Sequence, residues 1–271
     1  MGHESSFGDP MEWTAVAGVV GAALTYVVLR RRWLSPWTET KASSEILQSL
    51  KVQPWDVLGM QGTNLSANFQ LVTRSTAPDE RVAFADPAGM PYIRSNSPMG
   101  AGKTSRAIYD YVGMSKFPES VRRAITEPTH AKFHAYPPPE DSLTLGPQGG
   151  QVIHVVGPDL REPTYDSVDK ARSSLTAAYT NVLREFCEAA AADGELATLR
   201  LLPISRGVFS GAFAAELPGL TMEAIDLGYQ AQPAPHRRRL GSSQVELCIF
   251  LESEYDAYVA AHARAAGAGA V

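Results

Sequence analysis

The apolar positions of the chain follow two regimes. Near the start lies one uncharged run, WTAVAGVVGAALTYVVL at residues 13–29. From about residue 67 the pattern becomes short apolar segments alternating with helical periodicity. FQLVT (69–73), RVAFAD (81–86) and PYIRS (91–95) have the length and turn flanks of strands. TSRAIYDYVG (104–113) predicts a short helix with Ala107, Ile108, Tyr111 and Val112 on one face. FPESVRRAIT predicts another, with Pro118 near its start. YPPPEDSLTLGPQGG (136–150) is a Pro/Gly loop, and QVIHVVG (151–157) an apolar run suited to a strand buried on both faces.

The longest helix is predicted over the segment that follows. Val168, Ala171, Leu175, Ala178, Tyr179, Val182, Phe186 and Ala189 recur at three-four spacing, with Asp166 or Ser167 to cap the start and Gly194 the end. ATLRLLPIS (197–205) and QVELCIFL (244–251) are further buried strands. LTMEAIDLG predicts a helix capped by Thr221, and SEYDAYVAAHARAA a last one capped by Ser253. Strands alternating with helices imply a three-layer α/β/α sandwich with a mixed, largely parallel central sheet. Ligands of such sheets bind outside the carboxyl ends of the strands.

The 13–29 run has the minimum length for a membrane-spanning helix. Arg30, Arg31, Arg32 and Trp33 follow it, and the preceding HESSFGDPME is acidic, which disfavours a cleaved signal peptide. An N-terminal transmembrane helix is therefore expected over 13–33, with a buried Ala/Gly-rich helix as the alternative. The arginines would place the main domain on the cytosolic or mitochondrial matrix side. The expected divisions are an acidic segment (1–12), the anchor (13–33), a connector (34–66), the α/β domain (67–266) and a flexible tail (267–271).

Composition narrows the chemistry. The net charge of −5 argues against a general nucleic-acid binder. Cys187 and Cys248 lie in apolar periodic segments, as buried reduced thiols do. The six histidines show no metal-ligand spacing, so neither a metal nor a cofactor is expected.

Two glycine loops carry the candidate site. SNSPMGAGKTSR (95–106) ends like a phosphate-binding P-loop, but Ser97 occupies the first-glycine position and Pro98 removes an amide donor. SRGVFSG (205–211) follows a buried strand, and its two glycines permit close approach to a ligand. Two such loops, each leaving the sheet near a helix start, suit a ligand with two phosphates.

These loops, with VIHVVGPDL between them and VELCIFLESEYDAYVAA at the end, resemble a macro domain over roughly residues 80–262. The resemblance implies binding of ADP-ribose or of an ADP-ribosylated protein; some members hydrolyse the ADP-ribosyl linkage. It places Asn96 at the ribose-contacting asparagine, and Gly100, Ala101 and Gly102 at the first glycine run, with Lys103 at its exit. Ser205, Arg206, Gly207, Val208, Phe209, Ser210 and Gly211 fall on the second phosphate loop, with Phe209 on the distal ribose. AAYTNVLREF matches the Tyr/Asn-bearing helix of the family. Ser105 stands where hydrolytic members carry an aspartate, so no catalytic residue is assigned. Asp79 and Asp86 lie nearest in position to the family's adenine-contacting aspartate. A second reading stays open: a degenerate macro fold serving as a non-catalytic accessory subunit of a membrane complex, for instance a mitochondrial one.

Overall fold

The computed structural model describes residues 45–61, 70–71, 77–138 and 148–267. The 13–29 run, the acidic segment before it, both ends of the connector, the middle of the Pro/Gly loop and the last four residues lie outside the described residues. No described helix is long and apolar enough to cross a membrane.

Eight strands are described: β1 Lys51–Gln53, β2 Met60–Gln61, β3 Gln70–Leu71, β4 Val82–Pro87, β5 Ala131–Tyr136, β6 Gly150–Val155, β7 Thr198–Leu201 and β8 Gln244–Cys248. Six of them form one sheet in the order β1-β8-β7-β4-β6-β5. Every neighbouring pair is parallel except β5 with β6. This is the mixed, largely parallel sheet that the alternating pattern implies. β4, β7 and β8 are buried along nearly their whole length, which requires cover on both faces.

The helices are α1 Glu45–Ser49, α2 Met90–Ser95, α3 Lys103–Val112, α4 Glu119–Ala124, α5 Val168–Asp193, α6 Leu217–Gln230, α7 Ala234–Gly241 and α8 Glu252–Ala265. α5 packs on α6, and α6 on α8; α3 packs on β4, and α4 on β5. The start and end of α5 match its sequence signals. Ser167 accepts from the Lys170 amide, and Gly194 closes the helix in the left-handed region at φ 71°. Its apolar stripe, from Ala171 to Ala189, is buried.

Several expected elements differ. PYIRS is helical, because Pro91 occupies the first turn, where its missing N–H costs nothing, and Gly89 precedes it extended. Among the described residues, Gln70–Leu71 pair with Met60–Gln61, apart from the main sheet. Thr221 is a fully buried position inside α6, which starts at Leu217, so the cap lies upstream. α8 starts one residue before Ser253, after Leu251. β5 and α7 carry no strong periodicity and were not anticipated. The connector is read from the sequence as partly helical and packed on the main domain; in its described part α1 is helical, β1 joins the sheet edge beside β8, and Ile46, Leu47 and Leu50 enter the core.

A buried ion pair ties this edge down. Arg200 on β7 meets Glu246 on β8 at 2.9 Å and donates to the Val57 carbonyl. Gln53 on β1 donates to the same Glu246 carboxylate at 2.9 Å. The two cysteines are free and buried, and burial pushes the Cys187 thiol up to about 12.

Candidate functional site

The sheet order fixes where a crevice forms. β4 and β7 are parallel neighbours. The chain leaving β4 travels to β5 at one edge of the sheet, whereas the chain leaving β7 travels to β8 on the other side. Connections that diverge from adjacent strands leave a gap at the strands' carboxyl ends, the position where ligands bind open α/β sheets. Both glycine loops stand at this switch point: one follows β4 and the other follows β7.

The first loop runs through α2 and a 3₁₀ turn at Pro98–Gly100 into α3. Asn96 ends α2 at φ 53°, and its side-chain oxygen accepts from the Phe117 amide at 2.8 Å. That oxygen therefore holds the loop against the segment before α4. Gly100 packs on Tyr92, where an added Cβ would lie 3.1 Å from the ring. Ala101 is buried. Gly102 precedes α3 in extended conformation, and a Cβ there would meet nothing within 4 Å. Lys103 opens α3 at φ 53°, exposed and in no ion pair among the described residues. Ser105 turns inward and donates to the Pro87 carbonyl at 3.1 Å. Arg106 pairs with Asp110 and donates to the Met99 carbonyl, fastening the 3₁₀ turn to α3.

The second loop is anchored from below and from the side. Tyr179 of α5, fully buried, donates to the Leu202 carbonyl at 2.9 Å and accepts from the Ile204 amide at 3.0 Å. Burial raises its phenol pKa above the ordinary value. Ser205 takes φ 63° and donates to the Pro158 carbonyl at 2.5 Å. Gly207 takes φ 77° with open space where a Cβ would stand. Ser210 is buried and donates back to the Gly207 carbonyl at 2.7 Å. Arg206 forms a salt bridge with Glu254, in the first turn of α8.

A third segment, residues 157–161 after β6, packs against the second loop. The Leu160 amide donates to the Phe209 carbonyl at 2.9 Å. Gly211 approaches the Leu160 carbonyl so closely that a Cβ would lie 2.7 Å from it, and its φ of 54° also favours glycine. Gly157 fits against Ile204 and Ser205, where a Cβ would sit 2.7 Å from the Ile204 side chain. Arg161 lies over the Phe209 ring at 5.1 Å and is held by Asp159, which shares two hydrogen bonds with its guanidinium. The turn residues of GPDLR are visible in the sequence, but nothing local shows that they touch a loop almost fifty residues away. Glu254 is hidden for the same reason.

The twelve candidate residues thus fall on two loops at the carboxyl end of the central strands β4 and β7. Three of the four non-glycine residues with positive φ among the described residues are here: Asn96, Lys103 and Ser205. Among the described residues, three of the four exposed large apolar side chains are also here: Met99 at 50%, Val208 at 59% and Phe209 at 41%. Strained backbone and exposed apolar side chains both cost stability, and their joint placement makes this face the candidate site.

The aspartates fare differently. Asp79 lies before β4, at the amino end of that strand and away from the loops, and accepts from the Arg81 amide. Asp86 is near the correct end but wholly buried, with one oxygen 2.7 Å from Nδ1 of His154. The two are register partners on β4 and β6. Nε2 of His154 lies 2.9 Å from the Tyr136 hydroxyl, which in turn meets the Met114 sulfur at 2.9 Å. Tyr109 of α3 stands beside Asp86, and burial, then the Asp86 charge, raises its phenol pKa. Asp86 and His154 form a polar core closed to solvent, so Asp86 does not face an exposed ligand, and Asp79 stands at the other end of β4.

No known family profile matches the chain, and no curated protein matches it. Among solved structures it is similar to an Oceanobacillus iheyensis macrodomain with MES bound, at 16% identity, covering 68% of this chain and 84% of that one with a TM-score of 0.39. The same macrodomain with ADP gives 15% identity, 66% and 81% coverage and a TM-score of 0.36. The poly(ADP-ribose) glycohydrolase of Deinococcus radiodurans in apo form is 13% identical over 96% of this chain and 98% of that one, with a TM-score of 0.41. Likenesses of this size assign neither an activity nor a site residue.

Proposed function

We propose that the chain is an ADP-ribose-binding module whose ligand lies across the carboxyl ends of β4 and β7. The observation that supports this reading is the pair of glycine loops on two adjacent parallel strands at a topological switch point. The residue-level resemblance of both loops to a macro domain names the ligand. In this reading the amides around Gly102 and Gly207 face the two phosphates, because those glycines leave open space where a side chain would stand. Lys103 supplies a positive charge, and Phe209, with one ring face under Arg161, packs on the distal ribose.

The reading is one of binding. The side-chain oxygen of Asn96 is engaged by Phe117, and the Ser105 hydroxyl by Pro87. The nearest buried acid and base, Asp86 and His154, face each other inside the core.

Titration calorimetry of the full chain with ADP-ribose tests the proposal. The wild type is expected to bind and to gain thermal stability at ligand well above Kd, by mass action. Gly207→Val should abolish binding, because it fills the ligand space and forces a branched side chain to φ 77°. No stability gain at millimolar ADP-ribose would refute the reading. It would leave the alternative, in which the loops serve assembly with membrane-complex subunits.

A further inference from the structure

The second loop carries an arginine that is already neutralised. Arg206 sits between Ser205 and Gly207, at the point where the loop turns outward, and its Nε–H donates to Oε2 of Glu254. The Arg206 side chain is 20% exposed and the Glu254 side chain 39%, so the pair stands beside the second loop, partly out of water. The loop does not depend on this pair for its shape. Tyr179 holds the strand end, Ser205 is tied to Pro158, and Phe209 to Leu160. Glu254 comes from α8, 48 residues further along the chain, and places a negative charge beside an anion loop. A carboxylate there opposes every phosphate that approaches, and opposes the most highly charged one most.

Resting on the ADP-ribose reading, we propose that Glu254 is a specificity-determining residue which sets how much negative charge the second loop accepts. The two phosphates of ADP-ribose are both esterified and carry one negative charge each. ADP ends in a free phosphate, which carries close to two charges at pH 8. With Glu254 present the loop has no net side-chain charge from the Arg206 pair, and it accepts the esterified phosphate through its amides. The extra charge of a terminal phosphate finds no compensating cation at Arg206. The chain therefore prefers ADP-ribose to ADP, and the preference resides in a pair distant in sequence.

The test is the ratio of dissociation constants for ADP and ADP-ribose, measured by calorimetry at pH 8 and low salt. Glu254→Gln keeps a carbonyl oxygen for the Arg206 Nε–H, so it removes charge and preserves the contact. It should narrow the preference for ADP-ribose by roughly three- to ten-fold, the scale of one unit charge at a partly screened site. Arg206→Gln should widen the preference, and the double variant, which restores the wild-type net charge, should return it to the wild-type value. An unchanged ratio in Glu254→Gln, with ADP-ribose still bound, overturns this proposal alone. A double variant that fails to restore the ratio overturns it too, because the pair would then act through shape. Failure of the wild type to bind ADP-ribose overturns the underlying reading and this one with it.

Discussion

Asp56 shows how a single buried group couples the fold to pH. It stands in the turn after β1, 6% exposed, and accepts from the amides of Leu58 and Met60 at 2.9 and 2.8 Å. Burial raises its pKa from 3.8 to about 6, outweighing the two amides and Arg200, which lower it. A carboxyl with a raised folded pKa binds its proton more tightly in the fold than in the unfolded chain. Its contribution is thus fully present below about 3.8 and is lost as the pH rises through about 6. The loss amounts to about 3 kcal/mol. Urea unfolding of the wild type and of Asp56→Asn at pH 4 and pH 7 measures it. The asparagine variant keeps an acceptor for both amides and should gain on the wild type as the pH rises. A difference that stays flat across that range would show that Asp56 titrates as an ordinary carboxylate.

Among the elements, α5 does the most to connect core and site. Its apolar stripe is legible because apolar residues recur at helical spacing over about six turns. The function of Tyr179 within that stripe is not, since its hydroxyl meets a backbone more than twenty residues away. Tyr179→Phe removes that hydroxyl and leaves the Leu202 carbonyl and the Ile204 amide without a partner in a fully buried place. The variant should lose about 2–4 kcal/mol of stability, the cost of orphaning two buried polar groups. Its affinity for ADP-ribose should also fall, because the second loop begins at that amide. Chemical denaturation and calorimetry on the same preparation test both statements. Full affinity with reduced stability would show that Ser205 and Leu160 hold the loop by themselves. α2 gives the opposite lesson. Its β-branched and aromatic residues suggest a strand, but a proline in the first turn and a preceding glycine make a helix of them.

For the whole molecule, the proposed anchor at residues 13–29 lies outside the described residues, and its test is biochemical. The run is uncharged and bounded by three arginines, so the full chain should resist alkaline carbonate extraction from membranes. A chain beginning near residue 38 should be recovered in the soluble fraction, and it would keep α1 and β1, which belong to the fold. Complete release of the full chain by carbonate would remove the membrane from the proposal.

The sequence by itself determined the alternation of strands and helices, the buried strands β4, β6, β7 and β8, the extent of α5, and the two loops that leave the sheet. These are local properties: periodicity, caps and glycine positions act within a few residues of one another. Which strands are neighbours emerges only in the folded chain, and with it the fact that the loops after β4 and β7 leave adjacent strands at the same end of the sheet. Folding also recruited β1 to the sheet edge, buried Asp86 against His154, and brought Glu254 to Arg206 and Leu160 to Phe209. Each of these depends on pairings across tens of residues, where the deciding quantities are shared burial and hydrogen bonding between distant segments. Such pairings leave no pattern in either segment alone.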